Sequence, residues 1–150
     1  MVQRQRTFAF EITASSSASA TRLFAMVSDG SRWVEWARPV ISDAYLEREG
    51  DPAPGGVGAV RVLVRKPLVL REETVEFEQD RRHVYRLRSS SPVKDYQGEI
   101  RFIPRDGGGT DLVWRCSFVE RVPGTGPVFR AGLRTLVQDL AKRLVQAADH

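Results

Sequence analysis

The sequence predicts an α+β fold in which a seven-stranded antiparallel sheet carries two short helices after its first strand and one long helix at its end. Three observations lead there. Apolar and polar residues alternate with period two in seven segments, as in strands with one buried face. Six of these follow one another with only turn residues between them, and short links between consecutive strands require antiparallel pairing. The last part of the chain instead repeats its apolar residues at helical spacing.

In chain order, Phe8, Phe10 and Ile12 alternate with Thr7, Ala9 and Glu11 to give the first strand, which a serine-rich loop ends. Ala20, Leu23, Phe24 and Val27 recur at helical spacing, and Ser17 or Ser19 can cap that helix. Asp29 or Ser31 can cap a second short helix over 32–37, which Pro39 prevents from continuing. Further strands are expected at 40–47, 58–65, 70–78, 83–88, 95–103 and 110–120, punctuated by turns such as Lys66-Pro67 and Gly107-Gly108-Gly109. After Pro123 a helix of five or six turns follows, with Thr125 as its expected cap and Pro127 in its first turn. Phe129, Leu133, Leu136, Val137, Leu140, Leu144 and Val145 form its apolar stripe, and the inner face of the sheet is the surface of matching length.

A chain of 150 residues suits one domain spanning 1–150, and 41% hydrophobic with 28% charged residues is a globular balance. The excess of 23 basic over 19 acidic side chains is only +4, too small to imply a nucleic-acid partner unless it clusters. Cys116 is the one cysteine, so an internal disulfide or a cysteine zinc site is excluded, and a reducing, cytoplasmic setting is expected. Glu11 interrupts the first apolar stretch, which argues against a secretory leader, and no run approaches a membrane span.

Specific residues carry a family resemblance. The segments from Asp29 through Trp33 to Trp36, Gly55-Gly56-Val57-Gly58, Tyr96-Gln97-Gly98-Glu99-Ile100-Arg101-Phe102 and Gly107-Gly108-Gly109-Thr110 resemble the polyketide cyclase/dehydrase and lipid-transport branch of the START/Bet v 1-like (SRPBCC) superfamily. The resemblance runs from Phe8 to Ala148 and implies a helix-grip fold, in which a curved sheet wraps around the long helix and leaves an apolar cavity between them. These motifs are structural, and carriers and cyclases share the skeleton. No catalytic set is carried over.

Alternation also assigns faces. The apolar parity places Val60, Val62, Val64, Val75, Phe77, Tyr85, Leu87, Tyr96, Gly98, Ile100, Phe102, Leu112, Trp114, Cys116 and Phe118 inward, and carries Arg71, Glu73 and His83 with them. Arg61, Arg65, Glu72, Glu76, Glu78, Arg86, Arg88, Glu99, Arg101 and Arg115 then face out. Their signs alternate from strand to strand, as on a solvated surface and not a nucleic-acid platform.

Charges on an inner face need partners or a wet cavity, so Arg71 and Glu73 are candidate polar anchors for a ligand. Tyr85, Tyr96, Trp114 and Phe118 are candidate cavity walls, with Phe129 and Leu133 from the long helix and Trp36, beside Trp33, at the mouth. Gly98, Ala131 and Gly132 leave room for a cavity. His83 has no second ligand nearby, so no metal is expected, and nothing calls for a cofactor. The expected function is binding of a small hydrophobic or lipid-like molecule, as carrier or sensor, by a monomer or homodimer with no nucleic-acid or integral-membrane partner. Two alternatives stand beside it: a cyclase or aromatase acting on a poly-β-keto chain, with Arg71, Glu73, Tyr85 and Tyr96 as polar groups, and a protein-interaction module.

Overall fold

A computed structural model describes residues 5–150. Strand β1 (Thr7–Ser16) leads through helix α1 (Ala20–Ser28) and a 3₁₀ helix (Gly30–Glu35) into β2 (Asp43–Arg48), β3 (Val60–Arg65), β4 (Leu68–Glu78), β5 (Arg82–Leu87), β6 (Val93–Pro104) and β7 (Thr110–Glu120). The chain then closes with helix α2 (Gly126–Ala148). One seven-stranded antiparallel sheet has the order β1-β7-β6-β5-β4-β3-β2, so the meander runs from β2 to β7 and the first strand returns to pair with the last. The fold class is the one the alternation and the family resemblance imply.

Local chemistry explains the boundaries. Ser19 accepts from the Arg22 amide at the start of α1, and Asp29 accepts from the Ser31 amide at the start of the 3₁₀ helix. The last turn of α1 leaves carbonyls without helical partners; the indole N–H of Trp33 donates to Val27 O at 2.9 Å and that of Trp36 to Met26 O at 3.0 Å. The tryptophan pair thus locks the two short helices together. The second strand begins at Asp43 and not at residue 40, because the Ile41 amide turns back to Ala37 O at 2.9 Å. Thr125 does not cap α2 with its side chain, which donates instead to Val122 O. Glu120 takes that role, its Oε2 accepting from the amides of Gly124 and Gly126 at 3.0 and 2.8 Å, a carboxylate at the positive end of the helix. Gly126 is required there, since a Cβ would lie 2.1 Å from the Phe8 ring.

The inner face agrees with the alternation on β1, β5, β6 and β7. Phe8, Phe10, Ile12, Ile100, Phe102, Leu112, Trp114, Cys116 and Phe118 are buried together with Val137, Leu140, Ala141 and Leu144 of α2. On β3 and the first half of β4 the expected facing is reversed. Between Thr74 and Glu76 the β4–β5 register shifts by one residue, so Val75 is the extra residue of a bulge. A bulge inverts the parity on either side of it. Phe77 and His83 are paired inward as expected, but extrapolating that parity back past Val75 gives the wrong face for Arg71 and Glu73. Both lie outside: Arg71 pairs with Glu47 at 3.1 Å, and Glu73 meets Arg48, Arg86 and Arg88. Leu70, Glu72 and Thr74 point in, opposite Leu63, Leu87 and Tyr85 in register. Val60, Val62 and Val64 therefore lie on the other face of β3 from Leu63, where Val60 and Val62 are still buried, while Arg61 stands opposite Glu72 on the inner face.

Candidate functional site

Helix α2 does not cover the sheet evenly. Its second half is buried from Val137 onward, whereas Phe129, Leu133 and Leu136 in its first half are only half-buried. Beneath that first half lies a cavity of about 240 Å³, somewhat below the usual range of ligand pockets of about 300–1,000 Å³. Leu63, Leu70, Glu72, Tyr85, Leu87, Tyr96 and Trp114 line it from the sheet, Phe129, Leu133, Leu136, Val137 and Leu140 from α2, and Trp33 and Ile41 from the connection between β1 and β2. The exposed Arg65 and Leu68 of the β3–β4 turn and Ser90 and Pro92 of the β5–β6 loop form its rim.

The wall is apolar except for one buried polar cluster. Arg61 donates through Nε to Glu72 Oε1 at 3.0 Å and through Nη1 to Val27 O at 2.9 Å, and its guanidinium lies over the rings of Trp33 and Tyr85 at 4.3 and 4.7 Å. Its Nη2 is 2.9 Å from Glu72 Oε1, yet makes no well-aligned hydrogen bond. Both side chains are under one-tenth exposed, a position that a charge tolerates only when paired and hydrogen-bonded. Glu72 reaches the cavity and Arg61 stands behind it.

Beside this pair the Trp114 indole donates to Tyr85 Oη at 3.0 Å, and Tyr96 donates to Cys116 Sγ at 3.3 Å. Thr74 Oγ1 and His83 Nε2 are 3.0 Å apart, while His83 Nδ1 is buried without a partner among the described residues. Burial pushes the phenols of Tyr85 and Tyr96 well above the usual range and the Cys116 thiol up to about 12. Burial, aided by the nearby Arg61 charge, holds His83 well below the usual imidazole range. Near neutral pH these four groups are uncharged, and the ion pair of the cluster is Arg61 with Glu72.

Of the residues expected at a site, Tyr85, Tyr96, Trp114, Phe129 and Leu133 line the cavity together. Trp36 does not: its ring lies 4.5 Å from that of Trp33, its indole donates to Met26 O, and it is buried in the core outside the cavity lining. Phe118 is stacked on Phe8 at 5.6 Å, in the filled part of the interior. Arg71 and Glu73 are outside for the bulge reason given above. Gly98 leaves no empty space, since a Cβ there would lie 2.2 Å from the Tyr85 ring, which occupies it. Ala131 and Gly132 are exposed on the far side of α2. The Arg61–Glu72 pair escaped the alternation argument, although a signal existed. A two-residue turn at Lys66-Pro67 pairs Arg65 with Leu68, and counting back along that hairpin sets Arg61 opposite Glu72.

Among the described residues no cluster of metal-ligating side chains occurs, and no helix is long and apolar enough to cross a membrane. A search of curated proteins finds no match. Among solved structures, Ara h 8.0201 is 15% identical, with a TM-score of 0.76 over 95% of this chain and 98% of that one. Truncated norcoclaurine synthase from Thalictrum flavum is also 15% identical, with a TM-score of 0.70 over 97% and 98%. The protein XoxI from Bacillus cereus is 18% identical, with a TM-score of 0.70 over 93% and 94%. At such identities these likenesses speak for the fold alone. The family model for polyketide cyclase / dehydrase and lipid transport matches residues 7–149. With nearly the whole sequence matched, the chain belongs to the polyketide cyclase / dehydrase and lipid transport family.

Proposed function

We propose that this protein binds a small, mainly apolar molecule between its sheet and the first half of α2. The observation that carries the reading is the apolar cavity with a single buried ion pair in its wall. Apolar burial supplies the affinity, at about 25 cal/mol per Å² before ordering costs. The polar wall supplies orientation. Glu72 Oε1 is engaged by Arg61, no hydrogen bond to its Oε2 occurs among the described residues, and a ligand hydroxyl or amide N–H would find an acceptor there.

The test uses Trp33 and Trp114, which line the cavity, as reporters. Titrating 1-octanol while following tryptophan emission is expected to saturate at one equivalent. Leu133→Trp, which fills the cavity from the half-buried side of α2, should abolish the response without lowering the melting temperature. Unchanged octanol binding in that variant would defeat the proposal.

A second reading, a cyclase-type enzyme on a poly-β-keto chain, draws on one observation: Glu72 is the one carboxylate lining the cavity among the described residues. It would be the proton acceptor, because Tyr85, Tyr96 and Cys116 hold their protons. Turnover that falls in Glu72→Gln more than binding does would select this reading over simple carriage.

A further inference from the structure

The sheet opens between β5 and β6. Their pairing ends at Arg86↔Gln97. Beyond it, Leu87 and Arg88 keep backbone pairing with β4 alone, and Val93 and Lys94 with β7 alone, among the described residues. A bulge between Lys94 and Gln97, with Asp95 at φ +51°, bends β6 away. The gap holds a depression of about 560 Å³ whose walls include Arg86, Arg88 and Arg121. It shares Leu87, Ser91, Val93 and Tyr96 with the apolar cavity, so one layer of side chains serves both spaces.

The charge balance there is uneven. Arg86, Arg88 and the neighbouring Arg48 all converge on Glu73, and one carboxylate cannot neutralise three guanidiniums. The convergence shows in Glu73 itself, whose carboxyl is held below the usual range by its hydrogen bond from Arg88 and by the charges of Arg86 and Arg48. Among the described residues Arg121 donates only to the Ser91 carbonyl, at 3.0 Å. Asp95 is the one carboxylate in the walls of the depression. In the buried wall of the cavity, by contrast, Glu72 is matched by Arg61, and the other lining cation, Arg65, is exposed at the rim and donates to the Val40 carbonyl.

We propose that this depression receives the anionic group, a carboxylate or phosphate, of an amphipathic molecule whose apolar part occupies the cavity. The proposal rests on the cavity reading above. Guanidinium N–H forks suit such oxyanions, whereas the buried wall offers an anion only Arg61, which Glu72 already pairs.

The test titrates the full chain with octanoate, methyl octanoate and inorganic phosphate at low salt, following tryptophan emission and competition against octanoate. Octanoate is expected to bind on the order of tenfold more tightly than its ester, an advantage that salt erodes. Arg86→Gln with Arg88→Gln should remove that advantage and leave ester affinity unchanged. Arg121→Gln, which breaks no ion pair, should reduce it in part and guards against a folding defect in the double variant. Equal binding of octanoate and ester, or a preference that survives in both variants, overturns the anion site while leaving the cavity reading intact. Failure of the ester to bind overturns the cavity reading and this one with it. Phosphate competing as strongly as octanoate itself would assign the arginines to a free anion and refute the amphipathic ligand.

Discussion

The two halves of the sheet's inner face use the same alternation and end differently. Over β1, the end of β6 and most of β7, aromatic and aliphatic side chains pack closely: Phe8 stacks on Phe118 beside Gly126 at the start of α2, and Leu144 near its end is wholly buried. Over β3, β4 and β5 the inward positions include Arg61, Glu72, Thr74 and His83, and the first half of α2 stands off with Phe129, Leu133 and Leu136 half-buried. Tight packing of one half fixes the helix, and the other half can then remain hollow. The filled half supplies stability and the hollow half supplies a place for a ligand, a division consistent with the small margin of folding free energy.

The largest effect that would sharpen this contrast comes from the ion pair. Arg61→Leu or Glu72→Leu alone strands a buried charge and is expected to cost about 3–5 kcal/mol, while the double variant should recover most of the loss. Urea unfolding of the three proteins measures it, and a double variant as unstable as the singles would mean that the pair is not isolated from the rest of the cluster. Next comes truncation of α2. Leu144→Ala in the filled half should cost about 2–5 kcal/mol by opening a new void, whereas Leu133→Ala beside an existing void should cost under about 1 kcal/mol. Comparable losses at the two sites would break the comparison.

The smallest effect concerns acid. Burial holds His83 neutral in the folded protein below its ordinary titration, so the unfolded chain binds the extra proton first. Its contribution is present above pH about 6.5 and is lost as pH falls below that value, by at most about 1.4 kcal/mol per pH unit. The groups facing His83 are Thr74, Phe24, the Arg61 charge and Tyr85, whose phenol is held well above its usual range. Stability measured from pH 7 to 5 should fall less steeply in His83→Gln, and an identical slope would remove His83 from the account.

How far the site was legible follows from particular residues. Tyr85, Tyr96 and Trp114 could be placed inward because β5, most of β6 and β7 keep strict alternation, and Phe129 and Leu133 because a 3.6-residue stripe has one side. Trp36 and Phe118 were apolar and inward too, but which buried aromatic borders a void depends on where α2 rests. Arg71 and Glu73 exchanged places with Glu72 because the extra residue at Val75 puts the earlier β4 side chains on the face opposite to that extrapolated from Phe77, and Arg61 was missed because the valines of β3 made its outer face look like the inner one. Alternation carries no mark of where such a residue is inserted.

The sequence by itself determined the order of elements, their antiparallel pairing and the apolar stripe of the last helix, because these follow from periodicity, turn residues and caps between near neighbours. Tertiary structure alone decided which charged pair is buried, where the interior stays open and where β5 and β6 part. Those outcomes depend on the bulges at Val75 and between Lys94 and Gln97, on the approach of Tyr85 over Gly98, and on the seating of α2, all set by pairing and packing between residues far apart in the chain.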